Sequence, residues 1–196
     1  MSGIPQMLAQ AAARYVVDDG LEYGAAKRKA ARELERRGVR RSELPSNEAI
    51  EDEVRDYLAL FQADTQPAEL AALRDVALAW MQRLAEFRPH LTGAVWRGTA
   101  TRRSAIQIEL YCDDPKAAEI GLLDRHIGYK AVGQPDGPDL LRVETPCRDL
   151  GEAVTLFLHV LDRDDLRGAL KPDSSGRTWR GDLTALRRLM RPEAPW

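Results

Sequence analysis

From Ile4 to Phe87 apolar residues recur at steps of three and four, glycine is scarce and β-branched runs are absent. That spacing predicts amphipathic helices. The first runs from about Pro5 to Val17, with Ile4, Leu8, Ala11 and Tyr15 on one face, and stops at Asp18-Asp19-Gly20. The second covers about Leu21 to Arg37 and is closed by Gly38, because glycine accepts a left-handed cap at little cost. The third starts after Pro45, with Ser46 or Asn47 as its cap, early acids suited to the helix dipole, and a stripe of Ile50, Val54, Tyr57 and Phe61. The fourth opens with Pro67 and reaches about Phe87, carrying Leu70, Leu73, Ala77, Trp80, Leu84 and Phe87. A stripe of that kind is core-facing, so Trp80 should be buried.

After Pro89 the period changes to two and turn residues multiply. Strands are expected at Leu91–Trp96, Ala105–Cys112, Tyr129–Val132, Leu140–Thr145 and Val154–Leu161, with a helix from about Pro115 to Ile127. Gly133 to Pro138 reads as a turn, Lys171 to Gly181 as a loop, and Asp182 to Met190 as a last short helix capped by Asp182. The fold class is therefore α+β: a layer of about four helices over 1–88, then a small mixed sheet with crossing helices over 89–196, the two forming one compact unit.

Composition narrows the classes of function. In 196 residues, 29 basic against 31 acidic side chains leave a net charge of −2, with no global attraction for nucleic acid or anionic membrane. Eight basic residues between Gly24 and Ser42 are followed by six acidic ones between Glu43 and Asp56, and neighbouring helices of opposite charge most simply pair with each other. Cys112 and Cys147 are too few for a disulfide framework or a multi-cysteine zinc site and read as buried or idle thiols. His90, His126 and His159 stand far apart without ligand spacing, with His90 read as a helix-end residue. No eighteen-residue apolar stretch occurs, and Met1-Ser2-Gly3-Ile4-Pro5 lacks a signal-peptide layout, so a soluble cytoplasmic protein is expected.

The chemistry-bearing stretch is Thr92 to Asp113. It holds Gly93-Ala94, then Gly98-Thr99-Ala100, then Ser104-Ala105-Ile106-Gln107-Ile108-Glu109. This resembles the DNA polymerase beta-like nucleotidyltransferase superfamily, whose signature is Gly-Ser, a loop of about ten residues, and Asp-x-Asp on the following strand. With Ala26-Lys27-Arg28-Lys29-Ala30-Ala31 in the helical front, it is similar to a bacterial group of small nucleotidyltransferase-like proteins, over most of the chain. In that superfamily two carboxylates on one strand face grip paired magnesium ions, which hold the nucleotide phosphates during in-line displacement. A third carboxylate from a later strand completes the cage.

The resemblance places Ala94 at the serine, Ala105 and Gln107 at the two metal positions, and Phe157 at the third, with His159 two residues on. No carboxylate remains at any of them, leaving an oxygen-poor set that magnesium would not choose. Glu109 is the one acid left on that face; it reads either as a displaced ligand or as an ordinary solvated strand glutamate. The expected metal and cofactor complement is therefore none, with magnesium required only if transfer survives through Glu109 or through Asp113, Asp162 or Asp164.

Gly93, Ala94, Arg97, Arg102, Arg103 and Ser104 are the candidate ligand-binding residues, since arginines and loop amides hold an anion without metal. Arg177, Trp179 and Arg180 in the late loop would add a stacking surface. The reading that follows is a nucleotidyltransferase-fold pseudoenzyme that binds a nucleotide, another phosphate-bearing ligand or a protein partner. An active nucleotidyltransferase and a nucleic-acid-binding module are the alternatives.

Overall fold

Pro5 in the first turn and Gly20 at the end bound the first helix, α1 (Ile4–Asp19), in the computed structural model, which describes residues 3–36, 44–133, 139–167, 171–172 and 176–191. Gly20 takes φ +67° and returns its amide to the Tyr15 carbonyl, a left-handed C-cap that glycine adopts without strain. The buried stripe of α1 is Leu8, Ala9, Ala12, Ala13, Val16 and Val17, while Ile4 is exposed. The expected face through Ile4, Ala11 and Tyr15 is thus rotated. The paired alanines bring α1 close to α2 (Tyr23–Arg36), whose Ala26 and Ala30 are fully enclosed in the same cluster. Tyr15 points sideways and donates to Glu33 instead.

Ser46 caps α3 (Asn47–Phe61), its Oγ accepting from the Ala49 amide at 3.0 Å. Ile50, Val54 and Leu58 face inward. Leu58 takes the place expected for Phe61, which is exposed. Lys29 pairs with Asp19 at 2.6 Å, and the buried Glu51 accepts from Arg55 of its own helix at 2.8 Å. The cap expected at Gly38 and the basic positions Arg37, Arg40 and Arg41 lie outside the described residues.

The chain forms two compact units: Met1–Leu70 with Thr99–Ser104, and Ala71–Gly98 with Ala105–Trp196. The fourth helix, α4 (Gln66–Arg83), ends four residues earlier than expected and is followed by a 3₁₀ turn at Ala85–Phe87. In the second unit Trp80 is 7% exposed and donates from Nε1 to Thr145 Oγ1 at 3.2 Å. Its position in the apolar stripe therefore delivers the burial that the spacing predicts.

The sheet has β1 (His90–Thr92), β2 (Ile106–Cys112), β3 (Lys130–Val132), β4 (Asp139–Cys147), β5 (Glu152–Asp162) and β6 (Arg180–Gly181), in the order β3-β4-β5-β2-β1-β6. β2 and β5 run parallel at its centre and the other pairings are antiparallel. The remaining helices are α5 (Gly93–Arg97), α6 (Pro115–Asp124) and α7 (Leu183–Leu189, capped by Asp182). The molecule is α+β, with seven α-helices and a six-stranded mixed sheet among the described residues.

Two elements differ from expectation. The strand expected over Leu91–Trp96 stops at Thr92, because Gly93 at φ +68° turns the chain out of the extended region and starts α5, the additional helix. The end of the loop expected over Lys171–Gly181 instead pairs with β1 as β6, Leu91 opposite Gly181 and Thr92 opposite Arg180. The turn expected within Gly133–Pro138 falls largely on residues 134–138, outside the described set.

Alternation along the strands sorts the sheet into two faces. One carries Ile106, Ile108 and Leu110 beside Leu156, Leu158 and Val160, all buried. The other carries Gln107, Glu109 and Tyr111 beside Phe157, His159 and Leu161, with Arg142 and Glu144 following on β4.

Candidate functional site

Pairing register brings the expected metal positions together. Gln107 stands opposite Phe157, and Glu109 opposite His159, on the two parallel central strands. Ala105, just before β2, is half-buried. What the face holds is an amide, an aromatic ring and an imidazole. The His159 Nε2 lies 2.7 Å from Gln107 Oε1, and since that oxygen only accepts, Nε2 donates and Nδ1 keeps the lone pair. Burial pulls the His159 pKa down, partly opposed by the Glu109 charge, so the ring is neutral at pH 7.

Glu109 departs from the solvated strand glutamate of the sequence reading. It is 9% exposed, and its Oε2 accepts from Arg180 Nη1 at 2.7 Å and from the Tyr111 hydroxyl at 2.7 Å. Arg180 Nη1 also donates to Tyr111 Oη at 2.9 Å, closing a triangle of three side chains. Burial, then the hydrogen bond to Glu109, push the Tyr111 phenol up to about 12. Arg180 Nε is buried with no acceptor among the described residues. The late-loop arginine is thus a counter-ion for the strand carboxylate, a pairing across 71 residues that local patterning does not reveal.

This donor set does not fit a pair of magnesium ions. Hard cations require several oxygen ligands, preferably carboxylates. Here Glu109, the carboxylate that the two central strands put on this face among the described residues, is already paired with a guanidinium and a phenol. The acids named as alternatives lie at the strand ends: Asp113 pairs with Arg163 at 3.3 Å, and Asp162 accepts from the Asp164 amide at 2.8 Å. Among the described residues, no three His, Cys, Asp or Glu side chains converge as a metal cage.

The six candidate ligand-binding residues fall into both units. Gly93 and Ala94 open α5 in the sheet unit, with Ala94 buried. Arg97 is 6% exposed, lies over the Trp179 ring at 4.2 Å and donates Nη1 to the Thr178 carbonyl at 3.1 Å. Trp179 therefore stacks with Arg97 of the same unit. Arg102, Arg103 and Ser104 belong to the helical unit. Arg103 donates Nη1 to the Asp18 carbonyl at 2.6 Å, the Arg102 amide donates to Glu69 Oε2 at 2.9 Å, and Ser104 Oγ accepts from the Thr101 amide at 3.0 Å. An open hollow of about 380 Å³ beside them is lined by Asp18 and Glu69 as well as by Arg102 and Arg103, so its charge is mixed.

His90 and the two cysteines are buried. His90 lies in β1 rather than at a helix end, because the turn closed by Arg88 at φ +47° separates it from the preceding helical turn. Its Nδ1 sits 2.9 Å from the Arg88 carbonyl and its ring meets Tyr111 edge-on at 5.2 Å. Cys112 and Cys147 are buried free thiols, and burial raises the Cys112 pKa away from the reactive thiolate form. Residues that sequence reasoning missed are Tyr111, enclosed on the Gln107 and Glu109 face of β2, and Arg74 in α4. Comparison with protein-family models, curated proteins and solved structures returned no match.

Proposed function

We propose that this chain is a nucleotidyltransferase-like protein without metal-dependent nucleotidyl transfer, acting as a ligand- or partner-binding protein. The observation that supports the reading most directly is the central strand face. At the positions where the resemblance calls for carboxylates, Gln107 is hydrogen-bonded to His159, Phe157 stands beside it, and the neighbouring Glu109 is neutralised by Arg180. Both hydrogen bonds end on Oε2, and the guanidinium charge of Arg180 beside it already matches the carboxylate and repels a second cation.

Calorimetric titration with ATP, CTP and GTP, with and without magnesium, tests this together with a labelled nucleotidyl-transfer assay. The expected result is no transfer, and any nucleotide binding indifferent to magnesium. Magnesium-dependent transfer that disappears in Glu109→Gln would show that the displaced carboxylate is a working ligand and would overturn the reading.

A further inference from the structure

Within the sheet unit, α4, α5 and the segment 176–178 surround an open hollow of about 250 Å³, lined by Arg74, Trp96, Arg97, Arg177, Thr178 and Leu189. Three of the six are arginines, from three separate parts of the chain, and no carboxylate among the described residues lines the hollow. Arg74 is half-buried and directs Nε and Nη2 to the carbonyls of Val95 at 3.2 Å and Trp96 at 3.4 Å, in the last turn of α5. Those bonds fix the plane of the guanidinium without neutralising it. Arg74 makes no ion pair among the described residues, and burial pulls its pKa down, as expected of a desolvated cation lacking a counter-charge. Arg97 is held rigid by the Trp179 ring and the Thr178 carbonyl. Trp96 supplies an apolar wall, itself fixed by its Nε1 bond to the Thr178 carbonyl at 2.8 Å.

We propose that this hollow binds a phosphate group, free or carried as a monoester on a small molecule. Planar guanidinium forks match phosphate oxygens in bidentate fashion, and here two of them are positioned in advance by backbone carbonyls and an aromatic ring. Preorganisation of this kind lowers the entropy lost on binding. The volume is below the ~300–1,000 Å³ of pockets that take drug-sized ligands, which favours phosphate or a mononucleotide over a larger molecule. Buried cations are ordinarily matched by a counter-charge, and among the described residues Arg74 has none, a role that a bound anion would fill. The inference goes beyond the reading of the strand face: its residues are different, and it stands whether or not transfer activity is found.

The test is titration of the full chain with inorganic phosphate, AMP and adenosine in EDTA, followed by Trp fluorescence and phosphorus NMR. Phosphate and AMP should bind, adenosine should not, and affinity should fall severalfold as salt rises from about 50 to 200 mM. Arg74→Met and Arg177→Met should each weaken binding about tenfold with unchanged circular dichroism. AMP binding more tightly than phosphate would assign a nucleotide, and equal affinity the bare phosphate group. Should Arg74→Met fail to fold, Arg177→Met and Arg74→Lys, which keeps the charge and loses the fork, carry the test. The proposal is overturned if neither phosphate nor AMP binds at about 10 mM, if adenosine binds as well as AMP, or if the folded variants bind like the parent.

Discussion

Tyr111 and His159 face the same side of the sheet, and each makes the stability of the protein depend on pH, with opposite sign. The Tyr111 phenol is raised to about 12 by burial and by its bond to Glu109, against about 10 for an unfolded tyrosine. Between those values the unfolded chain releases a proton that the folded chain keeps, so this contribution is complete below about pH 10 and is lost as pH rises through 12. Its size is about 2–3 kcal/mol, and urea unfolding of the parent and Tyr111→Phe between pH 8 and 11.5 should show the alkaline decline flattened in the variant. For His159 the folded pKa is lowered by burial, so stability is complete above the unfolded value of about 6.5 and falls with acidification. His159→Gln should flatten the acid limb, and proton NMR should find the His159 ring neutral at pH 6.5. A ring that titrates normally would contradict the burial argument.

At the level of elements, Gly181 in β6 lets a large side chain sit against backbone. A Cβ there would lie 2.1 Å from the Trp96 ring, so Gly181→Ala must displace the indole that holds Thr178. We expect a loss of about 1–3 kcal/mol with a red shift in Trp emission, whereas Gly128→Ala, with nothing within 4 Å of its added methyl, should be close to neutral. Thermal melts of the two variants check the pair. The same elements show what patterning can reveal. The stripe of α4 and the alternation of β2 and β5 are local properties, so Trp80 and the buried Ile106, Ile108 and Leu110 were readable from spacing alone. The break at Gly93 was not, because one backbone angle ends an otherwise strand-like run, Leu91 to Trp96. The state of Glu109 depends on Arg180 across the sheet, and the company of Arg74 on the fold of α5. Neither leaves a trace in local periodicity. The juxtaposition of Gln107 with Phe157 and His159 rests on the pairing of two strands far apart in the chain, which local spacing does not encode.

For the molecule as a whole, the balance of 29 basic and 31 acidic residues means that binding of anions rests on local arrangement, and no helix among the described residues is long and apolar enough to cross a membrane. Metal linkage then gives a measurement that integrates over every site at once. A ligand that binds only the folded state stabilises it by RT ln(1 + [L]/Kd), about 2.7 kcal/mol at a hundredfold excess over Kd, and for a chain of this size each kcal/mol moves the melting temperature by about 2–4 °C. An intact two-magnesium site would therefore announce itself in a thermal melt. With Ala105, Gln107 and Phe157 at the positions named by the resemblance, and Glu109 held by Arg180, we expect millimolar magnesium or manganese to leave the melting temperature unchanged. Glu109→Ala should lower stability in its own right, because it leaves the partly buried Arg180 without its counter-ion, and it should do so by the same amount with or without metal. A metal-induced rise of several degrees that vanishes in Glu109→Ala would mean that Arg180 yields the carboxylate to a cation, and that the strand face is a metal site after all.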